Sequence, residues 1–177
     1  MLTRSFLALV SSCLFCVVFC VSVGHADELT IERICDAPDL SGPNLREVKI
    51  SPDGAYVAFL KNRHDDSERY DLWVYTLAGK IPRMIVNCDS ITAGPEALSD
   101  GEKAYRERKR VFATGIVDYS WSHDSRHLLF TLSGDVYGYD LTKPHPDAMT
   151  RLTETPEFET DARFSPKDSY VSFIRDD

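Results

Sequence analysis

Between Pro95 and Gly115 the chain carries Arg106-Glu107-Arg108-Lys109-Arg110, its densest group of residues able to do chemistry. A guanidinium presents a rigid fork of N–H donors that fits a carboxylate or a pair of carbonyl acceptors. Three of them stand in five positions, and each must be either solvated or paired with acceptors. The surrounding sequence predicts a helix over Ser99 to Phe112. Ser99-Asp100-Gly101-Glu102 is a capping box, with serine at the N-cap and Glu three residues on. Leu98, Tyr105 and Phe112 recur every seven residues, with Ala104 and Val111 beside them, so one side is apolar. Projected at about 100° per residue from Tyr105, Arg106 and Arg110 fall near 100° and 140°, on the polar side. Arg108 falls near 300°, between Phe112 and Ala104, and is the inward-facing candidate. An inward charge must find carboxylates or carbonyls, because an unpaired one is costly to bury. The plain alternative is a solvated face on which Glu102 and Glu107 pair with the cations.

Other chemistry is sparse. No Gly-x-Ser-x-Gly elbow is present, so the usual hydrolase nucleophile is missing and no catalytic residue is assigned. No His-Glu-x-x-His, phosphate-cradling loop or dinucleotide fingerprint occurs, and neither a metal nor another cofactor is expected. His64 sits in a charged loop beside Asp65-Asp66, His123 and His127 flank a turn, and His145 lies between prolines; each reads as a surface residue. Cys35 and Cys88 lack a zinc-type spacing, and their separation fits a disulfide no better than two isolated thiols.

The elements that must position the arginine helix follow a repeat. Ser51-Pro52-Asp53-Gly54, Ser122-His123-Asp124-Ser125 and Ser165-Pro166-Lys167-Asp168 each sit between runs of alternating apolar residues. In all three, apolar residues stand at the same places before and after the serine: Val48, Ile50, Val57 and Phe59; Tyr119, Trp121, Leu128 and Phe130; Ala162, Phe164, Val171 and Phe173. Each copy reads as strand, tight turn, strand. The first unit is predicted as strands Glu47–Ile50, Tyr56–Leu60, Asp71–Leu77 and Ile81–Val86, with Pro82 suiting an edge. The second runs from Ile116 to Thr153: a strand from Ile116 to Trp121, then Asp135–Leu141 matching Asp71–Leu77, and a fourth at Met149–Leu152. The third begins at Asp161. Four short antiparallel strands are one propeller blade, so the fold class is all-β: an incomplete β-propeller of about two and a half blades with one inserted helix. Because a propeller closes with roughly four to eight blades, the sequence reads as the front portion of a larger protein or a truncated product. A small complete β-sandwich is the rival. Leu29–Ile34 is left as a short helix or an edge strand.

Residues 1–26 are read separately. Arg4 supplies a positive start, Ser5 to Val23 are apolar or small, and Gly24-His25-Ala26 offers a cleavage site before Asp27. A secretory leader and export to the periplasm or the cell exterior are expected, with an uncleaved membrane anchor as the alternative. The formal charge is −8, and loss of the leader with its one Arg and no acid makes it −9. Such a balance disfavours nucleic acid and anionic membranes as partners.

Leu29-Thr30-Ile31-Glu32-Arg33, Pro38-Asp39-Leu40-Ser41-Gly42-Pro43, Asp71-Leu72-Trp73 and Leu98-Ser99-Asp100 leading into the arginine run resemble bacterial dipeptidyl peptidase IV proteins. Gly115-Ile116-Val117-Asp118-Tyr119-Ser120-Trp121 and Arg151-Leu152-Thr153 continue the resemblance, whose most specific part is the arginine helix joined to Gly-Ile-Val-Asp-Tyr. It implies an eight-bladed propeller over a C-terminal α/β-hydrolase domain that removes N-terminal dipeptides with Pro or Ala second. It also implies a homodimer, with the catalytic Ser, Asp and His and the paired Glu for the substrate amine all beyond this chain. On that footing the chain alone is expected to be inactive. A peptide substrate would meet one arginine of Arg106, Arg108 and Arg110, with Arg108 favoured by projection. A non-enzymatic periplasmic propeller that binds proteins, similar to the translocation-protein B type, is the alternative function.

Overall fold

The computed structural model of the protein describes residues 29–36, 40–92, 96 and 98–175. The leader read over residues 1–26, with Cys13, Cys16 and Cys20, lies outside them, as does Pro38-Asp39 of the lead-in. The chain divides into two units, Met1–Cys35 and Asp36–Asp177. In the first, helix α1 spans Ile31–Cys35 and settles the open choice there in favour of helix. Thr30 begins it, its hydroxyl accepting from the Arg33 N–H at 3.2 Å. No helix among the described residues is long and apolar enough to cross a membrane.

The second unit is built from antiparallel meanders. Strands β1 (Leu45–Ile50), β2 (Tyr56–Asn62), β3 (Arg69–Thr76) and β4 (Pro82–Val86) form the first sheet in that order. After helix α2 (Asp100–Lys109), strands β6 (Tyr119–Trp121), β7 (His127–Leu132), β8 (Asp135–Asp140) and β9 (Met149–Arg151) form the second. Strands β10 (Glu159–Phe164) and β11 (Val171–Arg175) form the third. Two four-stranded blades and the start of another make an incomplete propeller. Pro82 sits in β4, which among the described residues pairs only with β3, so its missing N–H leaves no ladder partner wanting.

The repeat is visible atom by atom. Ile50 pairs with Val57, Trp121 with Leu128 and Phe164 with Val171, the same two places of the frame in each sheet. The serine hydroxyl of each turn accepts from a backbone N–H five residues on: Tyr56 at 2.9 Å, His127 at 2.9 Å and Tyr170 at 3.1 Å. In the first two turns it also donates to the aspartate two residues on, at 2.6 Å in both. The fourth residue takes a left-handed backbone every time: Gly54 at φ 72°, Ser125 at 63° and Asp168 at 54°. Glycine enters that region without steric cost and aspartate occasionally does, while Ser125 and Asp168 are also held there by bonds to the neighbouring turn.

That fourth position also joins the sheets. Ser125 Oγ accepts from the Asp53 N–H of the preceding turn at 3.0 Å. The Asp168 carboxylate accepts from the His123 and Asp124 N–H groups at 3.0 and 2.9 Å. Inner strands are tied as well. Tyr119 Oη donates to Glu47 O at 2.5 Å, and Ser120 Oγ to Ala162 O at 3.0 Å. The core runs through the first and second sheets, from Leu60, Leu72 and Val74 to Leu128, Phe130 and Tyr139.

One strand departs from the expected plan. The segment predicted as a strand from Ile116 is paired only over Tyr119–Trp121, and before it Thr114–Gly115 (β5) joins the first sheet, parallel to Arg69–Tyr70 of β3. Gly115 makes this possible: its φ is 73°, and a Cβ there would lie 2.6 Å from Tyr70 O and 3.0 Å from Cys88 Sγ. The return from α2 is thereby stitched to the first blade before it starts the second.

Candidate functional site

Helix α2 is shorter than its pattern predicts, Asp100–Lys109 in place of Ser99 to Phe112. Ser99 caps it, accepting from the Glu102 N–H at 3.2 Å. Arg110 ends it in a left-handed conformation at φ 54°. Phe112 thus falls outside the helix and is 79% exposed.

The helical projection put Arg108 inward and Arg106 outward, and the structure reverses the two. Arg106 is buried and Arg108 exposed. The most buried side is the Glu102–Arg106 pair, one turn apart, with Tyr105 half-buried beside it. Arg106 Nε and Nη2 donate to Glu102 Oε1 at 3.1 and 2.6 Å, Nη1 and Nη2 reach Glu96 at 3.3 and 3.1 Å, and Nη1 also donates to Ala113 O at 3.2 Å. With its fork so occupied, a charge can be buried where a hydrophobic projection expects none. Burial pushes the Glu102 carboxyl above its usual range, against the pull of Arg106. Glu96, missed in the sequence because small residues and a proline surround it with no periodicity, also accepts from the Gly115 and Ser133 N–H groups at 3.2 and 3.3 Å. Its carboxylate therefore joins α2, β5 and the turn between β7 and β8.

On its other side α2 leans over the second and third sheets. The Tyr105 ring lies 5.7 Å from that of Phe158, and its hydroxyl accepts from Thr160 Oγ1 at 3.5 Å. Beneath this overhang is a cleft of about 600 Å³. Val117, Leu129, Phe130 and Ile174 give it an apolar floor, and Arg108, Lys109, Asp118 and Asp161 bring charge to it. The carboxylates are already engaged, Asp118 with Lys49 at 2.7 Å and Asp161 with Arg163 at 2.6 Å. Arg108 has no hydrogen bond or ion pair among the described residues, and Lys109 only stands 6.0 Å from the centre of the Tyr105 ring. The cleft thus offers an uncommitted guanidinium over an apolar floor, which suits an acceptor on a partly apolar ligand. Arg110 is exposed beside the cleft and does not line it.

Arg63 holds Asp71 through two bonds of 2.9 Å and also meets Asp89 and Asn87, closing the end of the first blade. Cys35 and Cys88 are free thiols, and burial pushes Cys88 up to about 12, far from a reactive thiolate. His64, His123 and His145 are exposed, and His127 half-buried.

No protein-family model matches the chain. Among solved structures it is similar to the β-propeller domain of the Trilobed protease from Pyrococcus furiosus, a domain of open velcro topology. The match has 15% identity and a TM-score of 0.40, and covers 75% of this chain and 41% of that one. The chain therefore spans less than half the length of the structure it matches.

Proposed function

We propose that the chain is the N-terminal propeller part of an exported serine-type dipeptidyl peptidase, a family that releases N-terminal dipeptides with Pro or Ala second. Its share of the mechanism is to wall the substrate chamber and to supply one guanidinium. Arg108 is that group: its N–H fork donates to a peptide carbonyl lying over the apolar floor, while the nucleophile comes from a hydrolase domain. One observation carries the assignment. Of the three arginines, Arg106 is consumed by Glu96 and Glu102, Arg110 does not line the cleft, and Arg108 lines it with no partner among the described residues. The sequence resemblance supplies the reaction class.

The test is calorimetric titration of the full chain with the tripeptide Ala-Pro-Ala bearing a free N-terminus. A charge-assisted hydrogen bond of about 1.5–3 kcal/mol makes Arg108→Ala weaken binding by roughly 10- to 100-fold, with Arg110→Ala unchanged. Loss on Arg110→Ala alone, or no difference between the variants, would sink the assignment. The coding sequence gives an independent check, since a frame encoding paired Glu and then Gly-x-Ser-x-Gly accords with the reaction class.

A further inference from the structure

Resting on the reading that Arg108 meets the peptide, we infer that Glu96 is a positioning residue, the latch that sets where the arginine helix stands over the cleft. Helix α2 is short, and most of its surface is polar and exposed, so packing alone holds it weakly. Besides the Tyr105 contact with Phe158 and Thr160, one carboxylate ties it to the sheets. Glu96 has a side chain 4% exposed and accepts from Arg106 of α2, from Gly115 of β5 and from Ser133 at the β7–β8 turn. Glu102 cannot serve the same purpose, because it lies on α2 itself and travels with Arg106. Without Glu96 the helix keeps its internal ion pair and loses a tie to both sheets. Arg108 follows Arg106 by two residues and its side chain makes no hydrogen bond among the described residues, so its place is inherited from the helix. Any effect of Glu96 on a peptide in the cleft must pass through that inherited position.

The experiment is a double-mutant cycle on the full chain, again with Ala-Pro-Ala, together with hydrogen exchange of the α2 amides. Glu96→Gln keeps the shape and one carbonyl acceptor but cannot hold a guanidinium as a charged pair. It is expected to weaken peptide binding about tenfold in the native background and to have little further effect beside Arg108→Gln. Exchange of the α2 amides should accelerate about tenfold or more while β2, β3 and β7 keep their protection. Equal weakening in both backgrounds, or no weakening, overturns the positioning role. Accelerated exchange throughout the sheets overturns it too, since Glu96 would then support the fold at large. If Glu96→Gln destabilises the chain too far to titrate, Arg106→Lys reports on the same latch from the helix side, with the same expected pattern. Should Arg108→Gln leave binding untouched, the functional reading fails, while the exchange measurement still decides whether Glu96 holds the helix.

Discussion

Arg106 and Arg108 are two residues apart and face opposite problems. Arg106 has surrendered its hydration and depends on Glu96 and Glu102. Removing one partner of such a buried group leaves uncompensated charge, so Arg106→Leu is expected to cost about 3–5 kcal/mol in urea unfolding. Glu102→Gln should cost under about 1 kcal/mol, because Glu96 still pairs with Arg106 and a carboxyl strained by burial has been neutralised. At the turns, carboxylates behave oppositely. Desolvation opposes ionisation of Asp168, yet the N–H and ring of His123 and the N–H of Asp124 hold it below the ordinary 3.8. A folded value under the unfolded one gives stability that is full above pH 3.8 and is lost as pH falls through the folded value. Denaturant melts of Asp168→Asn should therefore differ from the native chain at pH 7 and converge with it in strong acid. A penalty that stays constant with pH would show that Asp168 acts by shape alone.

At the scale of elements, the meanders were legible because strand alternation and turn chemistry act locally. A serine that caps its own turn, and a fourth residue able to sit left-handed, specify each hairpin without help from elsewhere. The predicted strands of the first blade accordingly match the observed ones to within two residues. The inserted segment was less legible because its placement is tertiary. Hydrophobic projection ranks residues by greasiness, whereas α2 seats on an ion pair whose second acid, Glu96, lies ten residues from Arg106. Strand β5 is two residues long and pairs in parallel with a strand met far earlier, so no periodicity announces it. Its one local sign is Gly115. Gly115→Ala combines a left-handed cost with a Cβ pressed on the Tyr70 carbonyl, and it should destabilise by roughly 2 kcal/mol or more. For a chain of this size that lowers the melting temperature by about 4–8 °C. Calorimetry showing no change would mean that β5 detaches freely and does not help seat the insertion.

Across the whole molecule, identical frames meet different fates according to their neighbours. Tyr119, Leu128 and Phe130 of the middle sheet are 3%, 0% and 1% exposed. On the outer sheets Val48, the counterpart of Tyr119, is 58% exposed beside Ile50 at 67%, and Phe173, the counterpart of Phe130, is 37% exposed beside Tyr170 at 78% and Ile174 at 57%. The alternation is the same, and among the described residues only the middle sheet has a neighbour on each side. Cohesion therefore lies between successive sheets, as in other repeat architectures, and among the described residues each outer face is left uncovered where the middle sheet is covered. Such faces are complementary in kind but not identical, so copies of the chain would join head to tail and not by a closed two-fold. The full chain in the tens of micromolar range should then bind a hydrophobic dye and sediment with increasing mass as concentration rises. Replacing Val48 and Ile50 of β1 with threonine, which keeps strand preference while reducing apolar area, should lessen both effects without abolishing the folded signal. A chain that sediments as a monomer at every concentration and ignores the dye would mean that these faces are stable in water, and that contact between sheets is not what holds the fold together.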